Sequence, residues 1–284
     1  MSSQGARILC DGLVFAEGPR WRRGTLWLSD MFGGRVHRIH PDGRCETVLE
    51  IDGRPSGLAP HDDGTLWIVS MRDQRILRLR TDGTLDTLAD LSGQAGGDLN
   101  DMVLHPGGFA YVGNFGFDLF GGAEPALTQL HRVDADGRVA VVAEELNFPN
   151  GMVVTADGGT LIVAETFGHR LTAFDIAADG TLAGRRVFAE LGERTPDGIC
   201  LDAEGAVWVS SFVTGEFVRV REGGEVAQVI ALDGRRATAC TLGGDDLRTL
   251  CMITADTDIE RLAGGDSSAR VEQQRVAVAG CGSP

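Results

Sequence analysis

PSGLAPHDDGTLWIVSMRDQRILRLRTDG, residues 55–83, sets out a pattern that the rest of the chain repeats. A short polar entry ending in Gly57 opens into an apolar run. A turn closed by Gly64 follows, then a β-rich strand around Trp67, a polar hinge, a second strand and a DG turn. Within it, RILRLR alternates apolar and polar side chains with period two, the pattern of a strand covered on one face. The same order returns in PNGMVVTADGGTLIVAETFGHRLTAFDIAADG (149–180) and in PDGICLDAEGAVWVSSFVTGEFVRVREGG (196–224). EGPRWRRGTLWLSDMFGGRVHRIHPDG (17–43) and LNDMVLHPGGFAYVGNFGFD (99–118) fit with variation, and ACTLGGDDLRTLCMITAD (239–256) is a degenerate sixth copy.

The central strands of these copies carry Trp27, Trp67, Tyr111, Leu161, Trp208 and Cys251, spaced by 40, 44, 50, 47 and 43 residues. Several strands per unit at a period of about 40–50 residues is the signature of propeller blades. Helical periodicity is nearly absent. The expected fold is all-β: a six-bladed β-propeller forming a single domain over residues 1–284. ILCDGLVF at the start and ARVEQQRVAVAG at the end both read as strands that share a blade and close the ring. Two β-sandwiches or a solenoid account less well for spacing this even along the whole chain.

A net charge of −15 argues against nucleic acid or an anionic membrane as partner. No stretch approaches the roughly 20 apolar residues of a membrane-spanning helix. The N-terminal segment lacks the apolar core of a signal peptide, so a cytoplasmic location is expected. The cysteines at 10, 45, 200, 240, 251 and 281 show no CxxC pair and no zinc-like spacing, and most read as buried thiols. Cys10 and Cys281 lie near opposite ends of the chain, but spacing gives no argument for a link between them. His37 and His40 alternate along a first-blade strand and read as an exposed face, whereas His169 follows ETFG near the expected rim.

The repeat register exposes a polar ring. Ser56, Asn100, Asn150 and Asp197 each stand 11 residues before their central-strand marker, Cys240 stands 11 before Cys251, and Glu17 stands 10 before Trp27 across a shorter turn. Any one of these could be a simple turn former. Pseudo-symmetry, however, places equivalent residues at one height around one axis. Two carboxylates and two amides converging there form an oxygen-rich set suited to a hard divalent cation. Such a cation would also let two anions share a desolvated channel.

With EGPRW (17–21), ND (100–101), FPNGM (148–152), TPDG (195–198) and GGDDLRTLCMITA (243–255), the sequence resembles the SMP-30/gluconolactonase/LRE-like family, the regucalcin-type lactonases, over nearly its whole length. The resemblance implies a six-bladed propeller with one divalent metal ion, calcium first, with zinc, magnesium, manganese or iron as alternatives. It implies Glu17, Asn150 and Asp197 as metal ligands, Asn100 beside the metal in contact with substrate, and lactone hydrolysis as the chemistry. Two departures bear on the substrate. Asp98 stands where sugar-lactone members commonly carry Arg, and Asp118 corresponds to an acid that is usually Glu. HPGG (105–108) replaces the family's DPxG turn.

Phe115, Phe117, Phe120, Phe167 and Phe212 follow blade strands and suggest a pocket for a less polar lactone. In the resulting scheme Asp197 accepts the proton of the attacking water, and Asn100 donates to the developing oxyanion. Asn100, Asp118, Asp98, Phe115, Phe167 and Phe212 contact the substrate. The rival readings are a related propeller esterase acting on organophosphates and a non-catalytic calcium-binding propeller. Neither a GxSxG elbow nor an HExxH motif is present. Oligomeric state stays open.

Overall fold

The computed structural model describes residues 5–282. Strand β1 (Arg7–Leu13) comes first and stands apart from the strands that follow it in sequence. Blade 1 is β2 (Ala16–Arg22), β3 (Thr25–Asp30), β4 (Arg35–Ile39) and β5 (Cys45–Glu50). Blade 2 is β6 (Pro55–Pro60), β7 (Leu66–Ser70), β8 (Arg75–Leu79) and β9 (Leu85–Asp90). Blade 3 is β10 (Leu99–Leu104), β11 (Ala110–Asn114), β12 (Thr128–Val133) and β13 (Val139–Leu146). Blade 4 is β14 (Pro149–Val154), β15 (Thr160–Glu165), β16 (Arg170–Ile176) and β17 (Leu182–Glu190). Blade 5 is β18 (Pro196–Leu201), β19 (Val207–Ser211), β20 (Glu216–Val220) and β21 (Val226–Ala231). Blade 6 is β22 (Arg236–Gly243), β23 (Thr249–Asp256) and β24 (Ser268–Arg275), with the short helix α1 (Ile259–Ala263) between its last two strands.

Each of the first five blades is a four-stranded antiparallel meander in sequence order. The sixth borrows its outer strand: β1 pairs with β24, giving the order β1-β24-β23-β22, so the two ends of the chain close the ring as the repeats predict. The innermost strands β2, β6, β10, β14, β18 and β22 pack against one another around the axis.

The second strand of each blade is almost wholly buried, and its aliphatic and aromatic side chains fill the space between adjacent sheets. Trp208 and Tyr111 are the largest of these fully buried residues. The apolar stretches of the repeat are therefore the contacts between blades, and burying them is the main force that holds the ring together.

The inner strands share a device. Each slips register near its start, between Glu17 and Arg20, Pro55 and Leu58, Leu99 and Met102, Pro149 and Met152, Pro196 and Ile199, and Ala237 and Ala239. Bulges of this kind re-aim side chains. At four of these places the polar rim residue is followed by glycine (Gly18, Gly57, Gly151 and Gly198). A Cβ on Gly151 would lie 2.6 Å from the Asp197 carbonyl oxygen, and one on Gly57 2.3 Å from the Met102 amide nitrogen. The glycine lets neighbouring inner strands touch backbone to backbone, which explains why EG, SG, NG and DG recur.

Two sequence expectations need correction. The sixth rim position belongs to Thr238, not Cys240. Thr241 pairs with Cys251 in blade 6, whereas Cys200 pairs with Trp208 in blade 5, so the connection between the two strands is two residues longer in blade 6. Counting back 11 residues from the central strand therefore stops two residues short, and Cys240 is buried between blades beside Cys200 and Trp208. His37 is also not on an exposed face: it is 6% exposed, with Nδ1 3.3 Å from Thr47 Oγ1.

Candidate functional site

Bulged inner strands bring Glu17, Asn100, Asn150 and Asp197 to one pocket at the end of the central channel. Each is more than nine-tenths buried. Asn100 donates from Nδ2 to the Pro149 carbonyl (3.2 Å), and Asn150 from Nδ2 to Thr166 Oγ1 (3.3 Å). Thr166 passes its own hydroxyl hydrogen to the Pro196 carbonyl (2.7 Å). Amide nitrogens are thus engaged by the fold, which leaves Oδ1 of both asparagines as acceptors. Ser56 and Thr238 hold equivalent places in blades 2 and 6 but do not line the pocket. Thr238 donates to the Ala16 carbonyl (3.1 Å), tying the last inner strand to the first.

The electrostatics follow from burial. Desolvation pushes the Glu17 carboxyl well above its usual range, and the charges of Asp197 and Asp101 push the same way. Asp197 is lifted to about 8, chiefly by burial, although a hydrogen bond from Asn150 opposes the shift. The cation nearest in effect is Arg20, and its guanidinium is already committed. It donates to Asp101 Oδ1 (2.7 Å) and to the carbonyls of Leu58 (2.9 Å), Pro19 (2.9 Å) and Met102 (2.5 Å). Two carboxylates therefore share an apolar pocket with no side-chain cation among the described residues that line it.

A hard divalent cation fits this donor chemistry, since all four side chains offer oxygen. Among the described residues no group of three or more His, Cys, Asp or Glu could hold a metal ion, so a cation here depends on the amide oxygens as well as the acids.

Above the polar floor the walls are apolar. Phe115, Phe120, Phe167 and Phe212, named from the sequence, line the pocket with Phe15 and Phe148, whereas Phe117 does not line it but packs behind Phe148 and Phe167, and the whole space measures about 700 Å³ including its mouth. Phe115 and Phe148 stack with ring centres 4.4 Å apart, and Phe167 meets Phe148 at 4.9 Å. Phe148 takes a left-handed backbone conformation (φ 61°) as the chain enters β14. Ile259 and Leu262 of α1 complete the rim, on a turn whose helix is capped by the Asp258 side chain.

Asp98 and Asp118 are not among the lining residues. Asp98 lies near Arg54 and Arg72, and burial raises its carboxyl. Asp118 is exposed, and its Oδ1 accepts the Gly121 amide hydrogen (2.8 Å), closing a turn. His169 is turned toward the Arg194 carbonyl (2.9 Å). Sequence reasoning missed Phe15, Phe148 and Thr195, although the register holds a signal for them: each stands two residues before a rim donor. Nothing in the repeat points to α1.

The model of the SMP-30/Gluconolactonase/LRE-like region matches residues 15–256. The chain belongs to this family. A 6-deoxy-6-sulfogluconolactonase of Pseudomonas putida is 30% identical over 280 residues, covering 95% of this chain and 94% of its own length. A luciferin-regenerating enzyme superposes with a TM-score of 0.83 at 18% identity, over 97% of each chain. A calcium-binding regucalcin of Agrobacterium tumefaciens strain C58 superposes at 0.79 with 22% identity, over 97% of this chain and 95% of its own. The two structures share the SMP-30-type propeller fold with this chain.

Proposed function

We propose that this chain is a divalent-metal lactonase whose pocket takes a less polar lactone than an aldonolactone. It is a hydrolase acting on carboxylic ester bonds, in keeping with the lactonase named among its relatives. The observation that carries the substrate reading is the wall of six phenylalanines around a floor of two acids and two amides. Such a wall favours rings with alkyl or aryl substituents.

Glu17, Asn150 and Asp197 would hold the metal, with calcium first in view of the all-oxygen donors. When bound, the cation supplies Lewis-acid polarisation of the lactone carbonyl and acidifies nearby water. The chain's own residues do the rest. Asp197 accepts a proton from the water that attacks the carbonyl carbon. Asn100 spends one Nδ2 hydrogen on Pro149 and has the second for the oxygen on which charge develops. The ring C–O bond then breaks, and the leaving oxygen takes up a proton to give the hydroxy acid. The phenylalanine wall orients the ring and excludes competing water.

The test is a panel of sugar, aliphatic and aromatic lactones given to metal-stripped protein resupplied with single divalent ions. Turnover of aliphatic or aromatic lactones above aldonolactones, restored by an ion, is the expected result. No turnover of any lactone with any ion would defeat the reading.

A further inference from the structure

One position of the repeat breaks its own pattern beside the polar floor. In each of the first five blades, the residue after the second strand sends its backbone N–H to the carbonyl two residues before the rim position. Met31 bonds to Phe15 (2.8 Å), Met71 to Arg54 (3.0 Å), Phe115 to Asp98 (2.9 Å), Thr166 to Phe148 (3.1 Å) and Phe212 to Thr195 (3.2 Å). The other four side chains are methionine or phenylalanine, and blade 4 alone carries a hydroxyl there.

That hydroxyl reaches two blades at once. Thr166 Oγ1 donates to the carbonyl of Pro196, the residue before Asp197, at 2.7 Å, and accepts from Asn150 Nδ2 at 3.3 Å. A hydroxyl has a single hydrogen to give. With that hydrogen spent on Pro196, Oγ1 can meet Asn150 only as an acceptor, so the amide turns its nitrogen to Thr166 and keeps Oδ1 for the pocket, which both residues line. Together with the backbone bond to Phe148, the side chain ties the entry of β14 to the entry of β18.

We propose that Thr166 is a positioning residue for the cation site: its hydroxyl holds the Asn150 amide with Oδ1 offered to a divalent ion and fixes the spacing between Asn150 and Asp197. The role rests on the metal reading given under Proposed function. The two ends of an amide are similar in shape but opposite in hydrogen bonding. An Asn150 side chain without its partner would turn end for end and present N–H hydrogens where a cation needs a lone pair. Partners that orient metal ligands in this way govern affinity nearly as much as the ligands do.

The test compares Thr166→Val, which keeps the shape and removes the hydroxyl, with Thr166→Ser, which keeps the hydroxyl and removes the methyl group. Calorimetric titration of metal-stripped protein with calcium alone should give a dissociation constant about 10–100-fold higher for the Val variant. The Ser variant should stay close to the parent. Hydrogen exchange of the Asn150 side-chain amide, followed by NMR without the ion, should be slow in the parent and the Ser variant and fast in the Val variant. Unchanged calcium affinity in folded Thr166→Val, or equal losses in the two variants, would overturn the role. Fast exchange of the Asn150 amide in the parent would overturn it as well, independently of any variant. A parent that binds no divalent ion while its amide stays protected would defeat the metal reading itself, and the role with it.

Discussion

Glu17 and Asp197 enter one pocket from blades 1 and 5, and the charge of Asp197 adds to burial in lifting the Glu17 carboxyl. Each acid therefore holds its proton more tightly folded than unfolded. Between the ordinary carboxylate range and the folded pKa, the native state binds more protons than the unfolded state, so stability falls as pH rises. For Asp197 that window runs from 3.8 to about 8. Metal-stripped protein should lose stability steadily from pH 5 to pH 8, by on the order of a few kcal/mol, and a saturating divalent cation should flatten the curve. Thermal melts across this range, with and without the ion, make the comparison.

Neutralising either acid separates binding from folding. Asp197→Asn and Glu17→Gln keep the shape of the side chain and remove its charge. Each should release the cation, measured by elemental analysis after gel filtration, and lower lactone hydrolysis at least about 100-fold. In the metal-free state each variant should be at least as stable as the parent at pH 8, because a buried charge has gone. A variant that keeps the ion firmly would show that the altered residue is not a ligand.

The aromatic wall should govern which lactone enters. Phe212→Ala opens the side of the pocket next to Phe15, whose ring centre lies 6.3 Å away. We expect kcat/KM for an alkyl- or aryl-substituted lactone to fall about 10-fold, mostly through KM, and turnover of a small unsubstituted lactone to change much less. An equal loss for both would mean that Phe212 acts on the floor of the site rather than on the substrate.

Backbone contact between inner strands gives a sharper structural prediction. Gly151→Ala places a methyl group against the Asp197 carbonyl and the Ile199 amide, both 2.6 Å away. Overpacking of this sort costs about 1–3 kcal/mol. Because the strand it displaces carries Asp197, cation affinity should fall with stability, as titration of the folded variant would show.

Much of this was legible in the sequence because the molecule repeats one unit. The even spacing of Trp27, Trp67, Tyr111, Leu161, Trp208 and Cys251 gives the blade count, and register alone brings Glu17, Asn100, Asn150 and Asp197 to one pocket. Register fails where the repeat itself varies. The longer connection between β22 and β23 moved the sixth position from Cys240 to Thr238. His37 alternates like a solvent-facing residue yet is covered, on a strand paired on both sides, with Leu28 of β3 and Thr47 of β5 as its neighbours. Ile259 and Leu262 reach the pocket from the long connection between β23 and β24, where only blade 3, with residues 115–127 between β11 and β12, has a connection of similar length among the described residues. Asp118 matched the expected position along the chain, but a local turn took up its carboxylate.

The pairing of β1 with β24 also bears on how the protein is made. A ribosome delivers residues 7–13 long before their ladder partner, residues 268–275. The earliest of the described strands is thus seated only after all the others have been made. Throughout synthesis the nascent chain carries an open edge, with Ile8 exposed even in the finished fold, that only completion of the C-terminal segment can satisfy.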